Sequence, residues 1–251
     1  MEELLPYIIV CPLVFVAGFI DAIAGGGGLI SLPAYLMAGL PPHTAVGTNK
    51  FSSTIGTTVA TDQYARQGFI HLKQAVPAIV CSLSGAFFGA RLALFVPENV
   101  FKIVLMIALP IIALYVLNRK SLTGNKPPHS ALKTLLIICV LAFFIGMYDG
   151  FYGPGTGTFL MLALTGWAHV SITDAAGITK TINLTSNITA FAVFLTGGVI
   201  WIELGAAAAV FSIAGNYFGA RFFTKKGTDI ARPTIIFVLF LFFAKVCYDL
   251  L

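Results

Sequence analysis

Apolar residues run along this chain in ten stretches of two kinds. Long runs occupy about residues 5–24, 44–64, 70–96 and 99–118, then 132–150, 174–196, 199–223 and 232–251. Short runs occupy about 29–40 and 157–167, each the second element of its half. At ~1.5 Å per residue a long run crosses a ~30 Å hydrocarbon layer, whereas a dozen residues do not. The short pieces are therefore predicted to be broken or re-entrant half-helices. Each follows a glycine-rich break: Gly25, Gly26, Gly27 and Gly28 in the first half, Gly153, Gly155 and Gly157 in the second. Pro41 and Pro42 end the first short piece, and Pro77 is placed to kink the fourth run.

The most polar stretch, NRKSLTGNKPPHSALK over residues 118–133, lies between the two halves. Its Pro-Pro, Gly and clustered basic residues mark a connecting loop. The predicted organisation is a first transmembrane repeat over 1–118, a loop over 119–131 and a second repeat over 132–251. The repeat is visible residue by residue. Gly18-Phe19-Ile20-Asp21 matches Gly146-Met147-Tyr148-Asp149, and Gly47-Thr48-Asn49-Lys50 matches Gly177-Ile178-Thr179-Lys180. G-A-F-F-G-A-R, ending at Arg91, matches G-N-Y-F-G-A-R, ending at Arg221. Small residues recur often in membrane helices, so the order and near-constant separation of the three matches carry the weight.

Charge sets how the halves are related. Arg66 and Lys73 flank the loop between elements three and four of the first half, while residues 196–203 hold no base and one acid. After element four the bias reverses, with Glu98 and Lys102 in one half and Lys225, Lys226 and Arg232 in the other. Under the positive-inside rule corresponding loops then lie on opposite faces. The central loop, with Arg119, Lys120, Lys126 and Lys133, is predicted to be cytoplasmic and both termini outside. The expected fold is an all-α polytopic membrane protein with two inverted repeats of about five elements, a pattern typical of secondary transporters.

Composition agrees with that medium. The chain has 251 residues, 58% hydrophobic and 10% charged, with a mean hydropathy of +0.92. A soluble domain carries about 25% charged residues. The net charge of +5 sits mostly in connecting segments, which points to topology and away from nucleic acid. Cys11, Cys81, Cys139 and Cys247 lie in apolar runs with no metal or redox spacing. The N-terminal MEELLPYIIV has no basic n-region, so a cleaved signal peptide is not expected. HExxH, GxSxG and P-loop patterns are absent, so neither an enzyme nor a cofactor is predicted.

The stretches GFIDAIAGGGGLISLP, GTNK, YDGFYGPGTGTF and GNYFGAR resemble the TauE/SafE sulfite-exporter family, nearest its YfcA-like branch, over nearly the whole chain. The resemblance implies a multi-pass transporter of the bacterial inner membrane. It also implies a sulfur-containing anion such as sulfite or a sulfonate as substrate, and proton coupling. An anion channel, or a carrier of a non-sulfur organic anion, is the alternative.

The residues themselves support a small anion as partner, beside the lipid bilayer; homo-oligomerisation is left open. Lys50 and Lys180 sit inside apolar helices, where an uncompensated lysine costs about 2.5–3.5 kcal/mol. They either serve a site or snorkel to the interface. Asp21 and Asp149 are their expected charge-balancing partners, or else caps beside the glycine breaks. The glycines let unwound backbone turn its N–H groups to a ligand, with half-helix N-termini aimed at the same place; tight helix packing is the other reading. Asn49, Ser53, Thr179, Asn183 and Asn187 supply donors around the lysines, Lys180, Asn183 and Asn187 sharing one helical stripe. Arg91 and Arg221 read as interface anchors, His43 and His169 as loop or helix-start residues, and Trp167 and Trp201 as interfacial aromatics.

Overall fold

The computed structural model describes residues 2–97, 100, 127–226, 229–230, 233–234 and 237. The predicted elements at 99–118 and 232–251, and the basic residues Arg119, Lys120 and Lys126, fall almost entirely outside them. The secondary structure of the described residues is all helical. A short turn at Glu2–Leu4 leads into α1 (Leu5–Ala24), α2 (Gly28–Met37), α3 (Pro42–Arg66) and α4 (Leu72–Phe95). The second half gives α5 (Ala131–Phe151), α6 (Thr156–Gly166), α7 (Ile172–Thr196) and α8 (Ile202–Lys226).

Helix ends follow local chemistry. α1 stops at Gly25, which takes a left-handed φ of 72° and returns its N–H to the Asp21 carbonyl at 2.8 Å. A side chain at that φ is strained, so glycine is the residue that ends the helix there. α3 starts on Pro42, whose fixed φ suits a first turn. Ser171 caps α7 by accepting from the Asp174 N–H at 3.1 Å. α4 runs unbroken through Pro77.

Among the described residues three helices, α1, α4 and α5, are long and apolar enough to span a membrane. On α4 the exposed residues Leu72, Val76, Val80, Leu83, Phe87 and Phe95 form one stripe at helical spacing, an apolar face suited to lipid. α3, α7 and α8 have 25 residues each, about 37 Å, but carry polar residues that they turn inward. The chain is a multi-pass helical membrane protein.

Packing links the halves by exchange. α1 lies against α8, and α4 against α5. Gly85 and Gly89 face the backbone of Phe143 and Met147; Gly215 and Gly219 face Phe15 and Phe19. An added Cβ at any of the four would overlap that backbone, so these G-x-x-x-G pairs set the close approach. The contacts ascend together, so α4 runs parallel to α5 and α1 parallel to α8. α3 and α7 run antiparallel, since Lys50 meets Asn187 while Thr61 meets Lys180. The third elements of the two halves thus run in opposite directions among the described residues.

Two apolar clusters form. One joins the end of α3 (Ala60, Tyr64) to the start of α7 (Ala175, Ile178). The other joins the start of α3 (Ala45, Val46) to the end of α7 (Ala190, Phe194). Between them lies a buried polar layer containing Asn49, Lys50, Thr57, Lys180, Asn183 and Asn187.

Candidate functional site

Both glycine breaks arrive in that layer and touch. Gly25 lies against the backbone of Gly157, and Gly28 against Pro154. The Thr158 hydroxyl donates to the Ala24 carbonyl at 2.9 Å, tying the start of α6 to the end of α1. Neither α2 nor α6 has a capping side chain at its N-cap glycine; the start of α2 is met by the Asp21 carboxylate, which accepts from the Gly27 N–H at 3.4 Å.

The lysines reach across the halves. Lys50 of α3 donates to the Asp149 carboxylate of α5 at 2.9 Å and to Asn187 Oδ1 of α7 at 2.9 Å. Lys180 of α7 pairs with the Asp21 carboxylate of α1 at 2.5 Å and also donates to the Asp21 carbonyl. Each lysine side chain is 2% exposed, against 6% for Asp149 and 18% for Asp21. Snorkelling is therefore excluded; both ammonium groups are inside the protein. Thr156 and Ser186 hydroxyls also donate to Asp149. The four charges sum to zero.

A cavity of about 40 Å³ opens beside these groups. At roughly 10–15 Å³ per water that is room for about three waters, or one small anion. Of the residues anticipated from sequence, Lys50, Asn49, Ser53, Asn183, Asn187, Asp21 and Asp149 line it, as do Gly25, Gly27, Gly28, Gly153 and Gly157. Lys180, Thr179, Gly26 and Gly155 do not. Gly155, at φ 81°, is instead the N-cap of α6, and Lys180 pairs with Asp21, which does line the cavity. Sequence reasoning missed Ser31, Thr156, Ser212 and Asn216, which also line the cavity. Asn216 sits inside G-N-Y-F-G-A-R, which served only as a repeat and family match; its repeat counterpart is Ala86, and that mismatch was the available signal.

The other residues singled out from the sequence lie at the edges. His43 lies in the first turn of α3 and meets the Ala93 carbonyl at 2.9 Å, anchoring α3 to α4. Arg91 lies over the Phe87 ring at 5.3 Å and Arg221 donates to the Tyr217 hydroxyl at 3.2 Å, both on exposed faces. Among the described residues no group of three or more His, Cys, Asp or Glu gathers to hold a metal ion.

An all-helical apolar shell around a buried, charge-balanced cavity is the architecture of a membrane transporter. The chain belongs to the TauE/SafE sulfite-exporter family, whose description matches residues 10–246. It is 41% identical over 224 residues to "Probable membrane transporter protein ORF9" of Sinorhizobium sp, covering 89% of this chain and 85% of that one. It is 37% identical over 235 residues to a "Probable membrane transporter protein" of Haemophilus influenzae, covering 94% and 92%. It is 35% identical over 234 residues to "Probable membrane transporter protein YfcA" of Escherichia coli K12, covering 93% and 86%. No solved structure matches it significantly.

Proposed function

We propose that this transporter is a secondary carrier of small anions, sulfur-containing oxyanions or organosulfonates, in the bacterial inner membrane. The observation that carries the reading is Lys50. It is buried on the cavity wall, and Asp149 and Asn187 occupy two of its three N–H donors. The third is left for an oxyanion, which also meets the start of α6, where no side chain caps the helix.

The resting site is neutral, so a lone anion would place a net charge inside the membrane. Proton uptake by Asp149 is one way to balance it. Asp149 would keep its Thr156 and Ser186 contacts while Lys50 turns to the ligand. The antiparallel course of α3 and α7, with the cavity between two apolar clusters, supports alternating access by rocking of one half on the other. The bias of basic residues among the loops, with Arg66 and Lys73 on one face, is what supports a cytoplasmic central loop and outward termini.

The test is thermal stabilisation of the purified protein by sulfite, thiosulfate, alkanesulfonates and carboxylates. Saturable stabilisation by an oxyanion that Lys50→Ala removes is the expected result. Equal stabilisation of the wild type and Lys50→Ala contradicts the assignment.

A further inference from the structure

Two short straps cross the ends of the α3–α7 pair, residues 67–71 after α3 and 197–201 after α7. Both leave their helix by the same turn. Gly68 at φ 77° and Gly198 at φ 69° are left-handed, and a Cβ on either would meet no atom within 4 Å. The next N–H returns to the helix, from Phe69 to the Tyr64 carbonyl at 3.0 Å and from Val199 to the Phe194 carbonyl at 3.3 Å. Each strap then lies on the start of the other half's third helix. A Cβ at Gly177 would overlap the Phe69 carbonyl, and one at Gly47 the Val199 carbonyl. The two glycines that the repeat matches therefore seat the two straps. Among the described residues one polar contact latches each strap. His71 Nε2 meets Asp174 Oδ1 at 3.1 Å, and the Trp201 N–H donates to the Thr48 hydroxyl at 3.0 Å.

The straps bracket the cavity. Phe69 and Ile70 pack on the apolar cluster that holds Tyr64, Ala175 and Ile178. Val199, Ile200 and Trp201 pack on the one that holds Ala45, Val46 and Phe194. The polar layer with Lys50 and Asn187 lies between those clusters, and antiparallel α3 and α7 put the two straps on opposite faces. An apolar plug on either side of a polar cavity is what a carrier opens one side at a time. The glycine turns supply hinges that absorb the backbone change, and a single polar latch is a small tie to break. We propose that residues 67–71 and 197–201 are the two gates of the cavity, each closing it toward its own face while seated on the opposite half. Control of access stands on this packing; that the gates pass an anion rests on the transport reading above.

Ser53 on the cavity wall can report access. In a variant without native cysteines, Ser53→Cys is labelled in sealed vesicles of each orientation by a small impermeant thiosulfonate. Gly177→Ala, which lifts the first strap, should speed labelling several-fold from the face that carries Arg66 and Lys73 and leave the other face unchanged. Gly47→Ala should do the reverse. Unchanged rates, or rates raised equally from both faces as loosened packing alone would give, overturn the proposal. If a glycine variant does not fold, removal of the latch replaces it under the same criteria: His71→Ala with Asp174→Ala at the first strap, Thr48→Val at the second. One-sided labelling in a protein that exchanges no sulfite keeps the gates and sinks the sulfite reading. Sulfite exchange at full rate after a short bis-thiosulfonate has joined His71→Cys to Asp174→Cys sinks the gates and leaves the anion site standing.

Discussion

The Lys50–Asp149 pair and the Arg66–Asp62 pair have the same N–O separation, 2.9 Å, in opposite surroundings. The side chains are 2% and 6% exposed in the first and 76% and 54% exposed in the second. Coulomb's law at an effective dielectric of ~20 gives about 6 kcal/mol at that distance. Desolvation offsets much of this inside, but removing one partner of a buried pair still costs about 3–5 kcal/mol. At the surface, screening and side-chain entropy leave less than about 1 kcal/mol. A double-mutant cycle separates the cases. Lys50→Ala, Asp149→Ala and the double variant are compared by denaturant unfolding in detergent, with Arg66→Ala and Asp62→Ala as the parallel cycle. The buried pair should show a coupling of about 3 kcal/mol or more, because the double variant leaves no orphaned charge. A coupling no larger than that of the surface pair would refute the burial argument.

Three further outcomes follow from the geometry. Gly25→Val adds a left-handed strain of about 1–2 kcal/mol to an overlap with Gly157, and should lower the yield of monodisperse protein on size-exclusion chromatography. Lys180→Ala with Asp21→Asn removes a pair whose lysine does not line the cavity; it should keep anion-induced stabilisation, whereas Lys50→Ala with Asp149→Asn should lose it in the same thermal assay. In a variant without native cysteines, Thr196→Cys should react with an impermeant maleimide added to intact cells, and Lys73→Cys only after lysis.

Much of this architecture was legible because membrane physics compresses it into pattern. The four glycines, the shortness of residues 29–40 and the duplicated GTNK/GITK signal announced the broken helices and the paired lysines. α1 was placed as the structure has it, and the other described helices begin and end within a turn of the apolar runs. The sequence could not show which acid meets which lysine. Pairing across the halves arises from α1 packing on α8 and α5 on α4, contacts between residues far apart in the chain. Nor could it show that the two repeats contribute unequally. Equivalent positions carry Lys50 and Lys180, yet only Lys50 faces the cavity, on which Asn216 stands where the other half has Ala86. Symmetry predicted the ingredients and concealed their division of labour.

The proposed carrier holds its anion on buried Lys50. Exchange of radiolabelled sulfite in proteoliposomes measures this directly, with unlabelled sulfite loaded inside. Trans-stimulated uptake by the wild type and by Arg66→Ala, and none by Lys50→Ala, is the expected result. Stimulated exchange persisting in folded, inserted Lys50→Ala would contradict it.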